Sequence, residues 1–315
     1  MKQIKLKIEG RSDIGVVRST NEDFFGVFEK NNLAVICDGM GGHSGGQIAS
    51  RLAVRTVGEL YRALDEKYFY KITSDLCQER LDFASRLIGS IRLANQRIYN
   101  QAQKNSDLHG MGTTISALAF VNGHAIVGHV GDSRIYRFRE KKLRLLTEDH
   151  TLVNELIQDK EIDALAANKL INKNIITRAL GFDSHIKIDL LIEPATAGDI
   201  FLLCTDGLTK ALADDEIERI IAFNKNKIHH LLKHLIDNAN IKDSSDNITA
   251  VVVVVERTSS LPKNKKQINL TLKSGDNNVI RLENKILRQF YHRFSIIDLV
   301  KQRIVNRIKK YSHKV

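Results

Sequence analysis

Apolar residues follow two rhythms along the first 257 positions. Short, dense apolar runs bounded by turn residues predict strands over 12–17, 23–28, 33–37, 112–121, 124–130, 133–138, 186–192, 199–204 and 247–255. Helical spacing instead predicts helices over about 46–63, 74–104, 151–159, 214–222 and 226–239. Within 80–101, Leu81, Phe83, Ala84, Leu87, Ile88, Ile91, Ala94 and Ile98 fall on one helical face. Asn122-Gly123 separates two apolar runs and predicts a tight hairpin. Hairpin-linked strands followed by long helices suggest sheets packed together and covered by helices.

The rhythm breaks at 257–268, "RTSSLPKNKKQI", which is polar, basic and holds one of only two prolines, so it reads as a linker. Further on, Ile286, Phe290, Phe294, Ile297, Ile304 and Ile308 recur at helical spacing among basic residues. Two units are therefore expected: a body over 1–257 and a linker with a basic amphipathic helical tail over 258–315. Charge sharpens the division. The chain carries +11, yet residues 1–257 hold 34 bases and 34 acids, and the surplus lies wholly in 258–315. The overall basicity says nothing about what the body binds. Cys37, Cys77 and Cys204 make no disulfide framework and no CxxC pair. "MKQIKLKIEG" has no apolar h-region, so no secretory signal is expected. A reducing, cytoplasmic setting follows, with membrane-peripheral attachment through the tail as an option.

Candidate chemistry lies where apolar runs end in acids. "LAVICDGMGG" ends a core strand in Asp38, and "FLLCTDGL" does so in Asp206. Asp132 follows "AIVGHVG", Asp246 precedes "NITAVVVVV", and Glu22 and Asp23 precede "FFGV". A single DG or GD pair is ordinarily a turn. Several in matching strand contexts would gather mutually repelling carboxylates on one rim of a sheet. Hard divalent cations relieve that repulsion, and oxygen-only donors point to Mg or Mn rather than Zn.

"SDIGVVRSTNEDFF", "AVICDGMGGHSGG", "GMGTTISALAF", "GHVGDSRIYRF", "LLTEDHTLV", "IITRALG", "FLLCTDGL" and "DNITAVVVV" occur in that order. Together, over about residues 10–256, they resemble the bacterial-type metal-dependent protein serine/threonine phosphatases of the protein phosphatase 2C (PPM) family. The resemblance implies an α+β fold, a four-layer αββα sandwich of two antiparallel sheets flanked by helices. It implies that Asp38 bridges two Mn or Mg ions and that Gly39 offers a backbone carbonyl. Glu22 would serve the second ion through water, and Asp206 and Asp246 would hold the first. Asp132 would serve a third, weaker ion, and Arg18 would grip the substrate phosphate. The implied reaction is direct attack on phosphoserine or phosphothreonine by a hydroxide bridging the ions.

Where some family members carry a proton-donating His after the DG, this chain has Met40, which leaves the general acid unassigned. His43, His124, His129 and His150 read as non-catalytic. Residues 147–184 correspond to the family's flap beside the site. The implied partners are phosphorylated Ser/Thr proteins, substrates of a cognate Ser/Thr kinase, and a monomer is expected. The tail's basic face suits an anionic membrane surface, an acidic protein or nucleic acid. Two rival readings are a pseudophosphatase acting as a binding module and a metal-dependent nuclease. The first would lack acids that this chain keeps, and the second takes its charge from outside the acidic body.

Overall fold

A computed structural model describes residues 4–41, 44–63, 78–158, 175–242, 244–258 and 268–272. One antiparallel sheet has five strands. They are β1 (Lys5–Asp13), β8 (Arg134–Arg139), β9 (Lys142–Leu145), β11 (Ile200–Cys204) and β12 (Ile248–Arg257), in the order β1-β12-β11-β8-β9. The second, of six strands, runs β13-β10-β7-β6-β3-β2. Its members are β2 (Phe24–Phe28), β3 (Leu33–Cys37), β6 (Ile115–Val121), β7 (His124–Val130), β10 (Ile188–Pro194) and β13 (Ile268–Leu272). A two-residue ladder joins β4 (Gly39–Met40) to β5 (Gly112–Thr113).

Three apolar layers follow from the pleat, which sends alternate side chains to opposite faces. Ile8, Phe201, Val251 and Val253 of the first sheet meet Ile36, Leu118, Phe120 and Val127 of the second in a central core. The outer face of the six-stranded sheet is covered by α1 (Gly45–Ala63) and α2 (Gln78–Lys104). The outer face of the other is covered by α4 (Asp206–Ala211), α5 (Asp214–Asn224) and α6 (Ile228–Ile241). A short α3 (Leu152–Gln158) stands in the flap region. The α+β, four-layer αββα architecture is the one expected. Ala84, Leu87, Ile88, Ile91, Ala94 and Ile98 of the predicted α2 stripe are buried in the layer beneath it. The Asn122-Gly123 hairpin forms between β6 and β7, with φ of 44° and 74°, the left-handed pair that a tight hairpin turn requires.

Four strands and one helix depart from expectation. The first strand is Lys5–Asp13 rather than 12–17. Ile14, Val16 and Val17, whose apolarity prompted the prediction, are exposed in the loop that follows. Gly15 turns that loop at φ 79°, and a Cβ there would stand 2.4 Å from the Asp246 carbonyl oxygen. Strands β4, β9 and β13 and the helix α4 were not anticipated. β13 adds to the free side of β10, so the chain rejoins the body after residue 257. The predicted tail helices and most of the polar flap insertion, 159–174, lie outside the described residues.

Candidate metal centre

The acids meet at one end of the sandwich because the strands that carry them are neighbours. Asp38 leaves the fully buried strand β3. Asp206 follows β11, Asp246 precedes β12, and Asp132 lies between β7 and β8. The charges of Asp23, Asp206, Asp132 and Asp246 all act on Asp38. Asp206 is acted on in turn by the charge of Asp246. Glu22 is at the margin, where Arg18 and Asp246 both influence it. Arg18 lays its Nη2 2.9 Å from Asp246 Oδ1, with its side chain half exposed toward solvent. The structure therefore brings Arg18, Glu22, Asp38, Asp132, Asp206 and Asp246 to one place. Gly39 follows directly in β4.

Burial and mutual repulsion raise the carboxyl pKa values. Asp38 is pushed well above the usual carboxylate range, first by desolvation and then by its acidic neighbours. Asp132 is pushed up to about 7, by burial and then by Asp206 and Asp149. Asp206 and Glu22 are raised by burial as well. Asp132 Oδ1 and Asp206 Oδ1 are buried without any hydrogen-bond partner. A buried carboxylate oxygen that no donor reaches is costly unless a cation meets it. The donor set is all oxygen, which suits Mg or Mn. Among the described residues, no three His, Cys, Asp or Glu side chains by themselves enclose an ion position. Instead, a lysine ammonium reaches into the cluster: Lys210 Nζ stands 2.5 Å from Asp206 Oδ2 and 3.2 Å from Asp246 Oδ2.

The supporting structure is mostly hydrogen-bonded backbone. Thr114 Oγ1 accepts from the Asp38 N–H at 2.9 Å, while the Asp38 carbonyl accepts from the Thr114 N–H and the Thr113 hydroxyl, each at 2.8 Å. Gly39 and Gly46 let β4 and the start of α1 touch: a Cβ on Gly39 would lie 2.1 Å from the Gly46 carbonyl oxygen. The first turns of α1 then hold the acidic loop, through Ser50 Oγ donating to the Glu22 carbonyl at 2.6 Å and Gln47 Nε2 donating to the Asn21 carbonyl at 3.3 Å. Asn247 matters most. Its Oδ1 accepts from the Glu22 N–H, and its Nδ2 donates to the carbonyls of Ile14 and Thr20, all at 2.9 Å. Beneath the site, Asp23 Oδ2 accepts from the hydroxyls of Thr205 at 2.8 Å and Thr249 at 2.7 Å. The predictions did not single out Asn247, Thr205 or Thr249. The only sequence signal was their adjacency to the singled-out acids Asp246 and Asp206, and Thr249's place in the strand that follows.

The histidines are structural, as expected, where they are described; His43 lies outside the described residues. His124, His129 and His150 are buried. His129 Nε2–H donates to the Glu148 carbonyl, leaving Nδ1 facing the Ser116 hydroxyl. His150 Nδ1 accepts from the Gly131 N–H, and its Nε2–H donates to Asp189, 3.0 Å away in each case. Because the Thr177 N–H donates to the His150 carbonyl, this imidazole joins the base of the flap to the loop carrying Asp132.

Two face-to-face antiparallel sheets clad in helices, with strand-end acids and a guanidinium at one rim, define a class of metal-dependent phosphoryl hydrolase. The chain belongs to the protein phosphatase 2C family, whose model matches residues 10–243. It is 37% identical over 252 residues to the serine/threonine phosphatase stp of Listeria monocytogenes, covering 79% of this chain and 95% of that one. The crystal structure of the Mycobacterium tuberculosis serine/threonine phosphatase PstP/Ppp superposes with a TM-score of 0.69 at 32% identity, covering 80% of this chain and 99% of that one. A structure of the PstP catalytic domain in complex with 2 manganese ions is similar at a TM-score of 0.65 and 30% identity, covering 79% and 97%.

Proposed function

We propose that this protein hydrolyses phosphoserine and phosphothreonine in proteins, using divalent Mn or Mg held by Asp38, the Gly39 carbonyl, Asp206, Asp246 and, on the outer side, Glu22. Asp132 is assigned to a third, weaker ion. The observation that carries this reading is the convergence of four aspartates, two of them with unpartnered buried oxygens, beside a half-exposed arginine. Ions bound there supply positive charge at phosphorus and lower the pKa of water, which makes a competent nucleophile near neutral pH.

The chain's own residues supply the rest. Arg18 offers a planar, always-charged fork suited to phosphate oxygens. Its hydrogen bond to Asp246 aims it at the same point as the acids. Asn247 holds the backbone on both sides of Arg18. Met40 has no proton to give, so protonation of the leaving oxygen falls to water.

The substrates are proteins phosphorylated by a cognate Ser/Thr kinase, and the enzyme acts as a cytoplasmic monomer. No described helix is long and apolar enough to cross a membrane. The basic segment 258–315 is assigned to anionic surfaces, whether lipid, acidic protein or nucleic acid. The deciding experiment offers the full chain a phosphothreonine peptide and a DNA duplex, each with Mn and with EDTA. Phosphate release from the peptide alone, and only with Mn, is expected. Cleavage of DNA would favour the nuclease reading, and inertness toward both would favour the binding-module reading.

A further inference from the structure

Lys210 is four residues beyond Asp206, one turn along α4, which places both side chains on one helix face. Its ammonium takes one oxygen from each of two aspartates, Asp206 Oδ2 at 2.5 Å and Asp246 Oδ2 at 3.2 Å. The other oxygens are differently placed. Asp246 Oδ1 is held by Arg18, and Asp206 Oδ1 is buried without a partner. A divalent ion draws carboxylate oxygens to about 2.0–2.6 Å, so an ion that takes Asp206 and Asp246 competes with the ammonium for the same two carboxylates. The lysine stem is about one-third exposed, so its head can swing into water without disturbing the core.

We propose that Lys210 is a tethered cation that competes with the first metal ion for Asp206 and Asp246. Ion entry displaces the ammonium into solvent. The lysine thereby weakens metal affinity while stabilising the metal-free protein against the repulsion of its own acids. This rests on the ligand assignment above. It adds a function for a residue that the ligand assignment does not use. The ordinary alternative is a helix-surface ion pair with no bearing on the metal.

The test titrates Mn into the EDTA-stripped full-length protein by calorimetry, with Lys210→Gln and Lys210→Met in parallel. Both variants are expected to bind the first Mn about tenfold more tightly, the scale of two partly exposed ion pairs removed. Their metal-free forms should melt at lower temperature, and their Mn-saturated forms should not. A second readout needs no variant: labelling of Lys210 in the native chain by an amine-reactive reagent, followed by mass spectrometry, should speed up on adding Mn. Unchanged or weaker Mn binding in the variants, or a labelling rate indifferent to Mn, would overturn the proposal. Asp206→Asn and Asp246→Asn separate the two levels. If they bind Mn normally, the ligand assignment itself fails. If they lose Mn while Lys210→Gln binds as the native chain does, only the competition fails.

Discussion

Replacing Asn247 by Ala removes the side chain that ties the loop 14–22 to the start of β12. Asn247 is 5% exposed, and its amide makes three hydrogen bonds, to the Glu22 N–H and to the Ile14 and Thr20 carbonyls. Water cannot easily restore them, so each lost bond counts at about 1 kcal/mol, for a total of about 3 kcal/mol. For a domain of this size that corresponds to a fall in Tm of roughly 6–12 °C. Metal binds only the folded state and would mask part of the loss. The measurement is therefore urea unfolding in EDTA, native against Asn247→Ala, repeated with saturating Mn. The same tether positions Arg18 and Glu22, so KM for a phosphopeptide should rise along with the loss of stability. An unchanged urea midpoint in EDTA together with an unchanged KM would refute the reasoning.

Asp38→Asn and Asp206→Asn should each abolish phosphate release even in excess Mn, and Asp38→Asn should raise the metal-free Tm because it removes a carboxylate that burial and four neighbouring aspartates all disfavour; full activity of either in excess Mn contradicts the ligand assignment. Arg18→Ala should raise KM and lower kcat while leaving the Mn affinity of the first site within a fewfold, read by steady-state kinetics beside calorimetry. His129 is held neutral by burial, with its pKa lowered to about 3. Between there and the ordinary imidazole value of about 6.5 the unfolded chain binds the extra proton. The stability this group contributes is thus complete above about pH 6.5 and lost as pH falls toward 3. His129→Gln should flatten that acid limb in urea midpoints taken across pH 4–7.

The interior strands were legible because both their faces are buried, so their apolar runs are continuous. Leu33–Cys37, Ile200–Cys204 and Ile248–Val255 are of this kind. Edge strands lack that mark. β1 buries Ile8 and turns Lys5 and Lys7 to water, β9 is mostly exposed, and β13 is a five-residue edge within a basic stretch. Exposed Val16 and Val17 imitated a strand because hydropathy does not register the turn at Gly15. The short helix α4 was hidden because its opening residues, Asp206-Gly207, have the composition of a turn. At the site, the acids stood out because a carboxylate ending an apolar strand is chemically conspicuous. Asn247, Thr205 and Thr249 did not, since each has an ordinary local explanation and acts through partners at long range. Asn247 reaches Glu22 across 225 positions.

Strand β13 changes how the basic segment can be studied. The chain passes from β12, inside the five-stranded sheet, to β13, the edge strand of the six-stranded one. Cutting at residue 257 to strip the positive charge would also bare the N–H and C=O groups of Ile188–Ile192, which now pair with Ile268–Leu272. A bare strand of that kind recruits other chains, so the truncated protein would clump for reasons unrelated to membranes or nucleic acid. Removal of 273–315 keeps β13 in place and takes away eight of the eleven surplus positive charges.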